Sequence, residues 1–159
     1  MNNKPIVRRA TINDIPDLVR LRRMMFEWMG FDDPSQLAKA DEAATAYFSR
    51  TIPTEEFRGW LAVTGTGVAV GSGGLVIDHH PPGPSNLSGK IGYIMSLATD
   101  PSHRRQGIGR WIMKTILEWL ENTDIKLATL HATEMGRPLY AELGFVDSNE
   151  MKLKLEKQI

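Results

Sequence analysis

Arg104-Arg105-Gln106-Gly107-Ile108-Gly109 lies between an apolar strand-like run and an amphipathic helix, and its residue types suit one kind of ligand. A Gly-rich turn that opens a helix leaves several backbone N–H groups without intrahelical partners. The helix macrodipole adds about half a positive charge at the same place. Gly107 and Gly109 have no Cβ, so a bulky anion can approach the main chain. Arg104 and Arg105 add guanidinium groups beside it. The chemistry predicted is phosphate or pyrophosphate binding. Other Gly-rich stretches do not compete. Gly83 to Gly89-Lys90 has the wrong spacing for a P-loop and is followed by Ile91 rather than Ser or Thr. Gly71-Ser72-Gly73-Gly74 opens no helix and reads as a strand with a bulge or a close backbone approach.

The elements that must position this turn follow from periodicity. Ile6 to Ala10 reads as a first strand. A helix capped by Asn13 carries Ile15, Leu18, Val19, Met25, Phe26 and Met29, and Gly30 stops it. A second helix runs from Pro34 to about Phe48 behind Asp33. Phe57 to Thr64 and Val68 to Asp78 form a hairpin around Gly65-Thr66-Gly67. Ile91 to Thr99 is apolar on both faces, as a central strand should be. The helix from about Gly107 to Glu121 sets Ile108, Trp111, Ile112, Ile116, Trp119 and Leu120 along one stripe. Ile125 to His131 is the next strand, parallel to the one before. A short helix from Glu134 or Met135 ends at Gly144. Phe145 to Asp147 and Met151 to Leu155 read as an antiparallel pair.

Bulk properties narrow the classes. The 159 residues fit a single α+β domain spanning 1–159. Nineteen basic and nineteen acidic side chains cancel, so no overall field draws nucleic acid or an anionic membrane. With no cysteine there is no disulfide, thiolate nucleophile or Cys-based zinc site. His79-His80 points its rings oppositely on an extended chain, and no metal is expected. The start, Met1-Asn2-Asn3-Lys4-Pro5, has no apolar signal core. No run approaches the roughly 18 apolar residues of a membrane span. The expectation is a soluble, cytoplasmic protein.

Three motifs together, Tyr93-Ile94-Met95-Ser96-Leu97-Ala98-Thr99, Arg104-x-x-Gly107-x-Gly109 and Tyr140-x-x-x-Gly144-Phe145, resemble the GNAT superfamily of acyl-CoA-dependent N-acetyltransferases. The strong match covers residues 91–147. The resemblance implies a three-layer α/β arrangement. Its sheet is mixed and mostly antiparallel, of about six to seven strands with a splayed parallel pair in the middle, flanked by about four helices. It implies acetyl-CoA as co-substrate, its diphosphate held by Arg104, Arg105, Gln106, Gly107, Ile108, Gly109 and Arg110. It implies a bulge near Met95 to Leu97 and a slot for pantetheine, lined by main-chain groups of Leu97, Ala98 and Thr99. The Leu97 N–H would polarise the thioester carbonyl, an oxyanion-stabilising role.

The resemblance makes Tyr140 the acid that protonates the departing thiolate. A thiol of pKa near 8.5 leaves more readily when a proton reaches its sulfur. Ring packing against the sheet is the alternative for Tyr140. Thr133 stands seven residues earlier, where relatives often carry a cofactor-contacting Asn, and can give one hydrogen bond. Arg137 could meet a CoA phosphate or an acidic substrate group.

An alkylamine of pKa near 10 must lose a proton before it attacks. Glu27 heads the candidates for that base, with Ser96, His131, Glu134 and an ordered water chain as alternatives. Phe26, Trp28 and Met29 could line an acceptor pocket, and Asp32, Asp33, Asp41, Glu42, Glu55 and Glu56 could attract a cation to it. The absence of cysteine argues for direct transfer in a ternary complex. The function expected is acetyl transfer to a primary amine of a small molecule. The alternatives are a peptide or protein acceptor and a non-catalytic acyl-CoA-sensing module. Relatives frequently form homodimers, and no patch in the sequence identifies one.

Overall fold

Four antiparallel and parallel pairings join the strands in the order β1-β2-β3-β4-β5, and only the last, β4 with β5, is parallel. The strands are β1 (Ile6–Arg9), β2 (Phe57–Val63), β3 (Ala69–His79), β4 (Lys90–Thr99) and β5 (Ala128–Leu130). The helices are α1 (Ile15–Trp28), α2 (Pro34–Thr51), α3 (Ile108–Glu121) and α4 (Arg137–Glu142). This computed structural model describes residues 4–156; Met1, Asn2 and Asn3 of the polar start lie outside them.

The sheet separates two apolar cores. On one face Leu18 and Leu21 of α1 and Phe48 of α2 meet Phe57 and Leu61. On the other, Ile108, Ile112, Met113, Ile116 and Leu120 of α3 meet Val70, Leu75 and Ile94. The predicted stripe on α3 is therefore the buried one, with Trp111 and Trp119 at its margins.

The glycines of β3 let α3 press onto the sheet. A Cβ on Gly71 would stand 2.6 Å from the Ile108 side chain, and one on Gly73 would stand 2.7 Å from Ile112. Neither contact is sterically possible without moving the helix. Gly73→Val is accordingly expected to destabilise the fold by about 2–3 kcal/mol, a Tm loss of roughly 5–10 °C in a scanning melt.

The first helix begins differently from expectation. Thr11, not Asn13, is the cap, and it caps a 3-10 turn over Ile12–Asp14 that precedes α1. The Asp14 carboxylate accepts from the Thr11 N–H at 2.7 Å, closing a reciprocal capping box. It also accepts both arms of Arg8 at 2.8 and 2.9 Å. These hydrogen bonds, Arg8 first, hold its pKa at about 2 despite an opposing cost of burial. The depressed value means that the contribution exists above the ordinary carboxylate pKa of about 4 and disappears as pH falls from about 4 towards 2. It is expected to be about 1–2 kcal/mol, allowing for solvent around the half-exposed Arg8. Asp14→Asn should remove that pH dependence from denaturant unfolding curves.

Two expectations fail at the carboxyl end. The sheet has five strands rather than six to seven. No strand forms over Phe145 to Asp147 or Met151 to Leu155, so the anticipated antiparallel pair is absent among the described residues. Met151, Leu153 and Leu155 alternate as a half-buried strand would, yet stand 98%, 79% and 87% exposed. The physical reason is the length of β5, whose three residues give a neighbour little edge to pair with.

Candidate active site

The central strand β4 breaks its own ladder. Against β3, Ser72 pairs with Ala98 but Gly74 pairs with Met95, so β4 has one residue too many between them. The surplus is a bulge at Ser96 and Leu97. Ser96 lies in the left-handed region at φ 56°, costly for a residue with a Cβ. Buried Ser72 supports it, its hydroxyl donating to the Ser96 carbonyl at 3.3 Å. On the other side, β4 and β5 pair only at Gly92–Ala128, Tyr93–Thr129 and Ile94–Leu130. Beyond Ile94 the two strands diverge, and Leu97 has no paired residue on either side.

The divergence opens a cleft of about 550 Å³. Met95 to Thr99 form one wall, and Leu130 and His131 continue it from β5. Leu139 and Tyr140 of α4 close another side, and Phe26, Trp28 and Met29 of α1 a third. Arg104 and Gly109 line it where α3 begins.

That start of α3 has an unusual donor inventory. Arg105 adopts φ 63°, and Gly107 caps the helix at φ 79°, ψ 13°. Gly107 brings no side chain to satisfy the first turn. None of the main-chain N–H groups from Arg104 through Arg110 makes a hydrogen bond of good geometry among the described residues. The loop is nevertheless held firmly upstream. Asp100 accepts from the Ser102 N–H and hydroxyl at 2.9 and 2.7 Å, and Arg20 donates to the Ala69 carbonyl at 2.7 Å while lying 4.0 Å from Asp100. A Cβ on Gly109 would meet only Leu139 at 3.8 Å and the Thr99 hydroxyl at 3.9 Å, ordinary contacts. The protein itself therefore leaves that spot open.

Tyr140 is half-buried in the cleft wall, its ring edge-on to Phe145 with centroids 6.0 Å apart. Burial pushes its phenol above the ordinary value, so the hydroxyl keeps its proton well past neutrality. Gly136 is what lets the ring lie back on its own helix start, since a Cβ there would come within 2.6 Å of it.

The anticipated residues divide. Tyr140, Leu97, Ala98, Thr99, Arg104, Gly109 and Thr133 line one cleft, with His131 and Glu134. Arg105, Gln106, Gly107, Ile108 and Arg110 form the adjoining turn and first helical residues, Ile108 with its side chain in the core. The Arg110 side chain is taken by an ion pair to Glu142. Arg137 is outside the cleft lining and pairs with Asp147 at 2.7 Å and Glu134 at 3.7 Å. Glu27 is exposed and also outside the lining, because α1 turns Met25, Phe26 and Met29 inward and Glu27 away. The acidic residues thought to attract a cation are engaged elsewhere or remote from the lining. Asp41 pairs with Arg23, Glu55 with Arg9 and Arg58, and Asp33 caps α2.

Three features escaped the sequence. Arg104 stacks on the Trp28 ring at 3.7 Å, and the Trp28 indole N–H donates to Met135 sulfur at 2.8 Å, so Trp28 bridges the rim of the cleft. Ser72 props the bulge, and Arg20 ties the loop to β3. Only tertiary contact reveals these. No three His, Cys, Asp or Glu side chains gather as a metal site among the described residues.

The profile of the acetyltransferase (GNAT) family matches residues 18–145. The chain belongs to the GNAT acetyltransferase family. Its structure is similar to that of a GCN5-related N-acetyltransferase from Ralstonia eutropha, at 34% identity and TM-score 0.85, over 94% of this chain and 97% of that one. It is also similar to a predicted acetyltransferase of Clostridium acetobutylicum solved with acetyl-CoA, at 26% identity and TM-score 0.84, over 94% and 96%. An aminoglycoside N-acetyltransferase in complex with CoA shares the fold at 16% identity, TM-score 0.75, over 99% and 98%. No curated protein matches the chain. As a GNAT member it is an acyltransferase of mixed five-stranded architecture, and no helix among the described residues is long and apolar enough to cross a membrane.

Proposed function

We propose that this GNAT protein transfers an acetyl group from acetyl-CoA to the primary amine of a small molecule, directly and within a ternary complex. The observation that carries the reading is the row of unpartnered N–H groups from Arg104 to Arg110, ending at an open Gly109 beside the cleft. Such a row satisfies a diphosphate without further side chains. The solved relative containing acetyl-CoA supports the same choice of co-substrate.

In this reading each group has one task. Gly107 and Gly109 admit the diphosphate, and Arg104 meets it from the cleft side. The walls of Leu97, Ala98 and Thr99 take the pantetheine arm. The main chain at Leu97, which has no register partner in either neighbouring strand, would offer its N–H to the carbonyl oxygen on which charge develops. Tyr140, whose neutral form burial favours still further, holds a proton for the departing thiolate. Among the groups lining the cleft, His131 offers an imidazole nitrogen that can accept the amine's proton. Glu134 stands beside Arg137 at 3.7 Å, with its own side chain 95% exposed. With no cysteine in the chain, the amine attacks the thioester itself.

Titration calorimetry with acetyl-CoA, followed by thiol release against a panel of amines, tests the proposal. Saturable heat and amine-dependent release of CoA are expected. Heat without turnover on any amine would favour acyl-CoA sensing, and no heat at millimolar coenzyme would remove the reading.

A further inference from the structure

A second cavity, of about 380 Å³, opens between α1 and α2 and meets the first at the bulge, where Phe26, Met95 and Ser96 line both. Its walls are aromatic and apolar. Tyr47, Phe48 and Phe57 form a packed cluster with ring centroids 4.8–6.0 Å apart, and alanines of α2 face them without filling the space. No carboxylate lines it. Its single charged lining group is Arg22, half-buried, with the guanidinium carbon 4.7 Å from the Phe26 ring centroid.

Arg22 makes no ion pair and no side-chain hydrogen bond among the described residues. Asp41, the nearest acid to influence it, is engaged at 3.0 Å by Arg23 instead. Burial lowers the Arg22 pKa from its ordinary value, offset in part by Asp41 and Tyr47, but a guanidinium remains charged at any physiological pH. A half-buried cation that spends no donor on the protein and is set in an apolar wall offers itself to an anion. The same cation repels an acceptor that carries further positive charge.

From this arrangement we infer that the acceptor is an amine that also bears a carboxylate, on an apolar or aromatic body, as in an apolar α-amino acid. The inference rests on the acetyl-transfer reading above. The body lies in the cavity against Tyr47, Phe48 and Phe57, the carboxylate pairs with Arg22, and the amine reaches past Phe26 to the bulge at Ser96. There the amine nitrogen forms the new C–N bond as the thioester C–S bond breaks, its proton leaving towards the cleft and the thiolate taking one from Tyr140. Polyamines are excluded by the charge of Arg22.

The test compares phenylalanine, phenethylamine and spermidine as acceptors for the wild-type protein and for Arg22→Gln and Arg22→Lys, with acetyl-CoA affinity measured on each. For wild type, kcat/KM for phenylalanine should exceed that for phenethylamine by at least about 10-fold, the order of one charge-assisted pair. Arg22→Gln should erase the preference, Arg22→Lys should restore part of it, and acetyl-CoA affinity should be unchanged in both. A readout free of turnover is the melting temperature of the CoA complex with 3-phenylpropionate: it should rise for wild type and not for Arg22→Gln. Equal or better use of phenethylamine or spermidine by wild type overturns the inference, as does an unchanged preference in Arg22→Gln. So does acetyl-CoA binding without turnover of any of the three. Failure to bind acetyl-CoA at all instead overturns the transfer reading beneath it.

Discussion

Gly109→Val is expected to weaken acetyl-CoA binding at least about 100-fold, roughly 2.7 kcal/mol, while lowering Tm by no more than a few degrees. The asymmetry follows from what surrounds the residue. A Cβ at position 109 has ordinary contacts at 3.8 and 3.9 Å, and the residue sits in the first turn of α3, where valine costs no more than glycine. The folded chain therefore has room for a Cβ there, whereas a ligand lying against the N–H groups of that turn does not. Gly107→Val is a less clean experiment, because φ 79° strains any residue with a Cβ and confounds loss of binding with a distorted loop. Calorimetry and a thermal melt on the same Gly109→Val sample decide the matter. Undiminished coenzyme affinity would mean that the diphosphate lies elsewhere.

Tyr140→Phe should reduce kcat by about 10²–10³-fold and leave acetyl-CoA affinity within about threefold. Phenylalanine keeps the ring that packs edge-on to Phe145, so the change removes one hydroxyl and little else. The pH profile gives an independent check. Because burial raises the phenol pKa above its ordinary value of about 10, the active neutral form persists through the whole accessible alkaline range. Wild-type kcat should therefore show no alkaline decline attributable to this group below about pH 10. A decline centred near pH 8 or 9, abolished in Tyr140→Phe, would contradict the environment described here. Retention of full activity in the variant would reassign the proton donor, water in the cleft being the natural successor.

What could be read in the sequence was local. Gly107 and Gly109 announce a helix start open to an anion because two missing Cβ atoms and a Gly cap act within one turn. The stripe on α3 and the stops at Gly30 and Gly144, both at positive φ, are equally short-range. The bulge at Ser96 was legible only through resemblance, since nothing in Ile94-Met95-Ser96-Leu97 itself demands a left-handed residue. Glu27 lies outside the cleft lining, and a signal for that existed: Met25, Phe26 and Met29 fix the inward face of α1, and Glu27 falls opposite them. The missing strand pair had no such signal. Alternation at Met151, Leu153 and Leu155 describes a ribbon that wants one dry face, but whether an edge awaits it depends on β5, residues earlier and elsewhere in space. Arg22 was invisible for the same reason, because being without a partner is a property of the folded neighbourhood.

The close seat of α3 on β3 has a consequence for length selectivity. Ile108 and Ile112 rest on Gly71 and Gly73, and the residue between those glycines, Ser72, holds the carbonyl of Ser96. The turn before α3 and the kinked point of β4 thus belong to one continuously packed block. Such a block behaves as a gauge of fixed span. In the proposed reading, a coenzyme analogue lengthened by a single methylene in its arm would still dock its diphosphate, but its reactive carbon would overshoot the Leu97 amide.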